Sequence, residues 1–187
     1  MDLIKTAEKF KEKLKNIKVC AFDIDGVLTN SDIWYAGEEV GFNRSTHTRD
    51  GYGLKMLMRA GIKAGVISGG DSLGVKMRFI ENLKLDFCYL GSEDKREAYQ
   101  KLLDMGYQDS EILFFGDEFF DTPLLKRAGF SVCPPHSNIE VKKFCDYVTT
   151  SKSGHGCARE VIDILRYAQG WFPEVPDFDG TNMEFSV

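Results

Sequence analysis

The chain has 187 residues, 43% of them hydrophobic, and its 29 acidic and 24 basic side chains give a formal net charge of −5. That length and hydrophobic content suit a domain with a core of its own, which excludes a disordered chain and a disulfide-dependent miniprotein. The acidic balance argues against nucleic acid or an anionic membrane as the main partner, although it leaves room for a local cationic pocket.

The cysteines and the amino-terminal segment bear on the location of the protein. The five cysteines are odd in number, widely spaced and without a C-x-x-C pair of the kind found in zinc or redox sites, so we expect reduced thiols. Residues 1–18 carry charges at every second or third position, which excludes a signal peptide, and no apolar run approaches the roughly 20 residues of a membrane span. We therefore expect a cytoplasmic protein with no membrane partner.

A predicted amphipathic helix opens the chain. Leu3, Ala7, Phe10, Leu14 and Ile17 recur at steps of four and three, which places them on one apolar face opposite a row of lysines. This pattern favours packing against the chain's own core. A coiled coil and a helix on a membrane surface are the alternatives, and a stretch of only two heptads with interspersed glutamates supports them less well.

Strand and helix patterns then alternate along the chain. Apolar runs typical of buried strands occupy residues 19–25, 64–68, 87–90, 112–116, 130–133 and 147–149. Helical patterns follow them at residues 52–60, 73–83, 95–105, 123–128, 139–144 and 158–169. This alternation predicts the α/β class, as a three-layer Rossmann-like parallel sheet with helices on both faces.

Two segments depart from the alternation. Residues 33–42 show two short strand patterns around Ala36-Gly37-Glu38, which predicts a β-hairpin inserted after the first strand, within residues 31–48. Residues 171–187 contain two prolines, four acidic side chains and no basic one, so we expect an acidic tail. Residues 1–170 would then form a single domain.

Two carboxylates end the first predicted strand. Asp23 and Asp25 are two residues apart with Gly26 next, and side chains two residues apart on a strand point to the same face. We expect both carboxylates to converge on one point, where a divalent cation would relieve their repulsion. Open α/β sheets bind ligands at the carboxyl ends of their strands, which makes this position a candidate site.

Polar groups at three further positions are expected at the same edge of the sheet. Ser68-Gly69 offers a hydroxyl and backbone N–H groups for an anion, Lys95 opens a helix, and Asp117 closes a strand four residues before Asp121. Each signal is weak by itself, because a serine can simply cap a helix and a lysine can be a surface charge. Together, the carboxylates, the hydroxyl and the cation indicate magnesium-assisted phosphoryl transfer.

The order of these motifs resembles the four-motif signature of the haloacid dehalogenase superfamily of phosphatases. The signature is carried here by residues 23–29, Ser68, Lys95, Gly116-Asp117 and Asp121. Similarity to a small subfamily that lacks a large cap domain extends to residues 49–53, residues 91–95, Gly156, Arg159-Glu160 and residues 168–170. The resemblance covers roughly residues 16–170, and its motifs are specific.

The resemblance implies roles for the carboxylates. Asp23 would be the nucleophile that takes the phosphoryl group as an aspartyl-phosphate. Asp25 would protonate the leaving sugar oxygen and then activate the water that releases phosphate. Mg²⁺ would be bound by Asp23, the backbone carbonyl of Asp25 and Asp117.

The resemblance also implies roles for the groups around these carboxylates. Ser68, Gly69 and Lys95 would hold the phosphoryl oxygens. Asp121 and Glu118 would orient Lys95 or the water ligands of the metal. The implied activity is a Mg²⁺-dependent phosphomonoesterase.

The implied substrate is a phosphorylated ulosonic acid of lipopolysaccharide synthesis, 3-deoxy-D-manno-octulosonate 8-phosphate, with a nine-carbon sialic-type acid 9-phosphate as the alternative. Two positions depart from the family. It commonly has an arginine suited to a sugar carboxylate where this chain has Gly70, and it often has a lysine or arginine in the later glycine-rich turn, which here is residues 153–156, Ser-Gly-His-Gly. Arg78 and His155 are candidates to compensate. Arg49 and Asp50 are further candidate substrate ligands, with a salt bridge at a helix start as the alternative.

In the family that the chain resembles, the inserted hairpin builds a tetramer in which a neighbouring subunit covers each active site. We expect a homotetramer here, because an isolated hairpin is marginal and needs other strands to pair with; a hairpin folded onto its own domain is the alternative. An alternative of another class is a catalytically silent binding module on the same fold. The presence of every motif carboxylate together with Lys95 argues against it.

Overall fold

A computed structural model describes residues 2–186 and has a parallel β-sheet at its centre. The strands in chain order are β1 (Val19–Phe22), β2 (Trp34–Tyr35), β3 (Phe42–Asn43), β4 (Lys63–Ser68), β5 (Phe87–Leu90), β6 (Ile112–Phe115), β7 (Phe130–Cys133) and β8 (Tyr147–Val148). Six of them form the sheet in the order β5-β4-β1-β6-β7-β8, with every neighbouring pair parallel. The predicted parallel sheet is confirmed.

Helices follow the strands as the sequence predicts. In the described range the α-helices are α1 (Leu3–Lys9), α2 (Lys11–Leu14), α3 (Thr48–Arg59), α4 (Leu73–Lys76), α5 (Arg96–Asp104), α6 (Thr122–Leu125), α7 (Ile139–Lys142) and α8 (Cys157–Gln169). A π-helical segment, Met77–Asn82, continues α4. Short 3-10 turns at Asp109–Glu111 and Phe119–Asp121 lie on either side of β6.

The core has two apolar layers, one on each face of the sheet. On β1, Cys20 and Phe22 belong to the layer that also contains residues of α1, α3 and α8, whereas Val19 and Ala21 belong to the layer with α5, α6 and α7. All four side chains are fully buried, because a parallel strand covered by helices on both faces has no exposed side. This is the expected three-layer architecture, and residues 2–186 form no large cap over it.

The amino-terminal segment packs against this core, as its apolar face predicts. It divides into α1 and α2 at Phe10, whose ring lies 5.2 Å from the ring of Phe130 in an edge-on contact. Ala7, Leu14 and Ile17 are buried. The chain's own core therefore covers this face.

The inserted hairpin has a longer loop than expected. Trp34 pairs with Asn43 and Tyr35 pairs with Phe42, so that the loop spans residues 36–41. Both Gly37 and Gly41 have positive φ angles, of +93° and +71°, which let the chain reverse over these six residues.

The carboxyl-terminal segment folds back on itself. Pro176 and Asn182 form an isolated antiparallel bridge, and Trp171 packs against the core. The segment is therefore partly structured, which its lack of periodicity did not indicate. No helix between residues 2 and 186 is long and apolar enough to cross a bilayer.

The fold places one end of β1, β4 and β6 at a common edge. β1 ends at Phe22, three residues earlier than predicted, and residues 24–28 form a tight turn around Gly26. Because β4 and β6 are both parallel neighbours of β1, the residues that follow these strands lie side by side. Asp23, Ser68 and Asp117 are therefore brought to one edge.

Candidate active site

Three charged side chains are buried together at this edge. Asp23, Lys95 and Asp121 have exposed fractions of 2%, 1% and 0%. Lys95 Nζ lies 3.0 Å from Asp23 Oδ2 and 2.5 Å from Asp121 Oδ1. The second oxygen of Asp121 accepts the backbone N–H groups of Asp117 and Glu118 at 2.9 and 3.1 Å. Asp121 is thus fully hydrogen-bonded, and it holds Lys95 beside Asp23.

Asp117 completes a cluster of three carboxylates. One oxygen from each of Asp23, Asp117 and Asp121 lies within 4.8 Å of the others. Asp117 Oδ1 is buried and has no hydrogen-bond partner among the described residues, whereas Oδ2 lies 3.3 Å from Nε2 of His136. The carboxylate of Asp117 sits over Gly26, since a β-carbon on that glycine would lie 2.0 Å from Asp117 Oδ2.

Burial changes the acidity of these groups. Burial, and after it the charge of Asp121, raises the pKa of Asp23 to about 7. Burial, with the charges of Asp23 and Asp121, raises the pKa of Asp117 to about 8. Burial acts to lower the pKa of Lys95, but the carboxylates outweigh it and the pKa is raised. The ammonium of Lys95 therefore stays charged beside Asp23, whose buried carboxyl group is costly to ionise.

This cluster fits a divalent cation. Its three carboxylates and one ammonium sum to two negative charges when all are ionised, and burial lowers the pKa of His136, which leaves that ring neutral near pH 7. Both oxygens of Asp121 are engaged, whereas the buried oxygen of Asp117 is free to be a ligand. Asp23 and Asp117 are therefore the side chains suited to hold Mg²⁺, an ion that prefers oxygen ligands.

The carboxylate of Asp25 lies outside this cluster, although the strand pattern predicted that it would converge with Asp23. It receives Arg44 Nε at 2.6 Å on Oδ1 and Arg44 Nη2 at 2.9 Å on Oδ2. Thr29 Oγ1 adds a contact of 3.2 Å to Oδ1. The strand ends before Asp23, so the rule that residues i and i+2 share a face no longer applies. The metal ligand predicted from Asp25 is its backbone carbonyl, and that stays a prediction.

The sequence indicated neither His136, which contacts Asp117, nor Arg44 as a residue of this site, and Arg44 is the one that binds Asp25. It lies in the irregular segment between β3 and α3, without a recognised motif around it. The only signal available was the absence of the expected arginine at residue 70. A β-carbon on Gly70 would lie 3.2 Å from Arg44 Nη2 and 3.3 Å from Asp25 Oδ2.

The other residues predicted to bind phosphate or to support the site lie at the expected edge. Ser68 ends β4 and is 2% exposed, and Gly69 follows it. The backbone N–H of Gly70 makes a long contact of 3.5 Å to Ser68 Oγ. Glu118 begins the turn Phe119–Asp121 and accepts the N–H of Phe119 at 2.7 Å. Glu118 thereby supports the turn that positions Asp121.

Asp50 is hydrogen-bonded to the backbone at the start of α8. Its side chain is buried, and its two oxygens accept the backbone N–H groups of Gly156 and Arg159 at 3.1 and 2.7 Å. These groups belong to the amino-terminal turn of α8, where unpaired N–H groups need an acceptor. Asp50 therefore joins α3 to the start of α8.

The other candidate substrate residues border two cavities. Arg49 and His155 line one of about 200 Å³ beside the start of α8, and His155 Nδ1 is 2.8 Å from the carbonyl of Ser153. Arg78 lines another of about 500 Å³, which Arg44 also borders. The structure thus separates Arg49 and His155 from Arg78.

Comparison with known proteins adds to this geometry. The sequence profile of the haloacid dehalogenase-like hydrolases matches residues 89–161. The 3-deoxy-D-manno-octulosonate 8-phosphate phosphatase of Haemophilus influenzae is 36% identical over 163 residues, which cover 86% of this chain and 88% of that protein.

Two solved structures of such phosphatases are similar to most of this fold. The cobalt-bound enzyme from Haemophilus influenzae has a TM-score of 0.79 at 35% identity, covering 84% of this chain and 92% of the other. The enzyme from Moraxella catarrhalis, in complex with a magnesium ion, a phosphate ion and a KDO molecule, has a TM-score of 0.81 at 30% identity, covering 87% and 93%. Both were solved with a divalent metal bound.

Proposed function

Because this chain belongs to the 3-deoxy-D-manno-octulosonate 8-phosphate phosphatase family of haloacid dehalogenase-like hydrolases, we propose that it is a Mg²⁺-dependent phosphatase of a phosphorylated ulosonic acid. The observation that carries the proposal is the buried contact of 3.0 Å between Asp23 and Lys95. It pairs a nucleophilic carboxylate with a cation that can neutralise the phosphoryl group attacked by that carboxylate.

The chemistry has two steps. In the first, an oxygen of Asp23 attacks phosphorus, the bond from phosphorus to the sugar oxygen breaks, and Asp25 gives that oxygen a proton. In the second, Asp25 takes a proton from water, the water oxygen attacks phosphorus, and the bond to Asp23 breaks. Inorganic phosphate leaves, and both carboxyl groups return to their starting states.

The other groups hold the phosphoryl group in place. Lys95, Ser68 and the N–H of Gly69 bind its oxygens, while Asp121 fixes the position of Lys95 through the contact of 2.5 Å. Asp23, Asp117 and the backbone carbonyl of Asp25 hold Mg²⁺, which when bound adds positive charge to offset that of the transferring phosphate.

The proposed substrate is 3-deoxy-D-manno-octulosonate 8-phosphate, the compound named in the relatives' activity. Arg78 lines the same cavity as Arg44, the residue that binds Asp25. Arg78 is therefore the stronger of the candidate substrate ligands. Arg49 and His155, which line the second cavity, are further candidate ligands. A nine-carbon sialic-type acid 9-phosphate remains the second candidate substrate, because it offers the same phosphate and carboxylate groups.

The test measures phosphate release from both substrates, with Mg²⁺ and with EDTA. We expect release from the octulosonate ester with Mg²⁺ alone, and loss of at least about 10³-fold in Asp23→Asn. Asp104→Asn is the matched control, because Asp104 is an exposed aspartate on α5. No release from either ester would support a silent binding module and overturn the proposal, and full activity in Asp23→Asn would overturn the mechanism.

We further infer a homotetramer in the cytoplasm. The hairpin is the basis for the first inference, because Ile33, Trp34, Tyr35 and Phe42 are 54%, 46%, 59% and 55% exposed and form an apolar surface on an isolated two-stranded sheet. The cytoplasmic location is inferred from the cysteines, because all five lie in the described range and none of them forms a disulfide. The division into a domain over residues 1–170, with the hairpin insertion at 31–48 and a tail at 171–187, stays a prediction.

A further inference from the structure

We propose that Arg44 binds the carboxylate of the substrate, and that it takes the place of the arginine missing at residue 70. The inference rests on the proposed function, since it concerns how that same site recognises a sugar acid. Arg44 comes from the segment after the hairpin, and its side chain is only 7% exposed. A long cationic side chain is buried there at the cost of its hydration, which requires anionic partners.

Arg44 lies close to where the sugar part of the substrate would bind. Its Nε and Nη2 atoms hold both oxygens of Asp25. Asp25 is the group proposed to protonate the sugar oxygen, so the sugar must come within hydrogen-bond reach of it. Arg44 therefore lies next to the position that the carbon chain of a bound substrate would occupy.

The guanidinium has hydrogen-bonding capacity for a second carboxylate. Of its five N–H bonds, two go to Asp25, and Nη1 contacts Ser72 Oγ at 2.9 Å and the carbonyl of Phe42 at 3.5 Å. One N–H of Nη2 has no acceptor among the contacts of the described chain. A carboxylate can bind across Nη1 and Nη2 by displacing the neutral hydroxyl of Ser72, while Asp25 stays on the other edge.

Gly70 has no side chain, which leaves room for the guanidinium of Arg44. A side chain at residue 70 would begin 3.2 Å from Nη2, a distance tighter than ordinary van der Waals contact. A side chain there would require the end of Arg44 to shift slightly, and an arginine at residue 70 would add a second positive charge close to it. The glycine and Arg44 form a pair in which the cation is supplied from a different segment of the chain.

The cavity beyond Arg44 has the chemistry of an anion-binding site. It measures about 500 Å³, and its polar lining consists of Arg44, Arg78, Asn43, Thr46 and Asn82, with no acidic side chain among the lining residues. Arg78 Nε is buried and has no hydrogen-bond partner in the described structure. A cavity of this size accommodates a small ligand, and its two guanidinium groups favour one that carries a carboxylate.

The experiment compares two phosphate esters that differ in the carboxylate. The probes are 3-deoxy-D-manno-octulosonate 8-phosphate and arabinose 5-phosphate, which has no carboxylate. The measured quantity is the ratio of their kcat/KM values, because an effect of Arg44 on Asp25 alters both esters and cancels in the ratio. We expect this ratio to fall roughly 10- to 100-fold in Arg44→Met, mainly through the KM of the acid.

Three variants separate recognition from structural damage. Arg44→Lys keeps the charge without bidentate geometry and should retain part of the ratio. The double variant Gly70→Arg with Arg44→Met should recover part of it, because the cation returns from residue 70. Arg59→Met, an exposed arginine at the far end of α3, should leave the ratio unchanged. If Arg44→Met does not fold, Arg44→Gln provides the same comparison.

An unchanged ratio in a folded Arg44→Met or Arg44→Gln protein would overturn the inference, provided that the wild type hydrolyses the octulosonate ester. A wild type that hydrolyses neither ester overturns the proposed function and this inference together. The two failures are thus distinguished by the wild-type measurement.

Discussion

The carboxylate of Asp117 occupies the space that a side chain at Gly26 would need. A β-carbon on residue 26 would lie 2.0 Å from Asp117 Oδ2, and the φ angle of Gly26 is +88°. The turn that follows Asp23 and the carboxylate that follows β6 are therefore packed together, and glycine makes this approach possible.

Gly26→Ala is expected to weaken Mg²⁺ binding by about tenfold or more, because the new methyl group displaces Asp117. Gly37→Ala is the matched control: Gly37 also has positive φ, +93°, but nothing lies within 4 Å of its β-carbon position. Both substitutions should cost roughly 1–2 kcal/mol of stability from the left-handed backbone alone. Calorimetric Mg²⁺ titration and urea unfolding measure the two effects, and equal Mg²⁺ affinity in both variants would contradict the prediction.

Mg²⁺ should stabilise the protein more at pH 8 than at pH 6. The pKa of Asp23 rises to about 7 and that of Asp117 to about 8, from an ordinary value of 3.8. Without metal the folded protein binds more protons than the unfolded chain between about pH 4 and 8, so these groups lower stability as the pH rises. Mg²⁺ competes with those protons, and its affinity should increase at least about tenfold over this interval.

Thermal unfolding with and without Mg²⁺ at the two pH values checks this linkage. Asp117→Asn removes one of the two titrating carboxyls and should reduce the difference between pH 6 and pH 8. A Mg²⁺-induced shift in Tm that is as large at pH 6 as at pH 8 would show that the carboxyls do not gain protons in the folded protein.

Asp121 acts through Lys95 and should be separable from it. Asp121→Asn removes the charge that positions Lys95 at 2.5 Å, so we expect kcat to fall about 10- to 100-fold with little change in KM. Lys95→Met removes the cation itself and should cost at least about 10³-fold, because the phosphoryl charge loses its neutralising partner. Steady-state kinetics with the octulosonate ester would contradict this order if Asp121→Asn proved the more damaging change.

Asp50 should matter for stability rather than for substrate affinity. Asp50→Ala removes the acceptor of two N–H groups at the start of α8, at an expected cost of about 1–2 kcal/mol. KM for the octulosonate ester should stay within about twofold. Arg49→Ala is the companion variant, since Arg49 is exposed and a rise in its KM would mark it as a substrate ligand. A raised KM in Asp50→Ala at unchanged stability would contradict the capping role.

The apolar hairpin surface should hold subunits together. Tyr35→Glu places a charge on a side chain that is 59% exposed in the monomer, and we expect a lower mass by analytical ultracentrifugation together with lower activity. Phe178→Glu is the control, because Phe178 is a fully exposed aromatic residue outside the hairpin. A wild type that sediments as a monomer would contradict the tetramer.

The architecture, and the strand ends at which the candidate catalytic residues lie, could be predicted from the amino-acid sequence. Periodicity along each segment predicted the strands and helices, because burial on one or both faces is written in neighbouring residues. The positions of Asp23, Ser68 and Asp117 then followed, since the carboxyl ends of parallel strands meet at one edge. The order of the motifs predicted phosphoryl-transfer chemistry for them.

The contacts of the other charged groups became visible in the folded structure alone. Asp25 pairs with Arg44 and not with Asp23's cluster, and Asp50 meets the N–H of Gly156, a residue 106 positions away. Such contacts depend on how irregular segments and long side chains pack after the sheet has formed, and no period or local spacing encodes them. For the same reason, the structure shows that Arg44 lies beside Gly70, whereas the sequence does not.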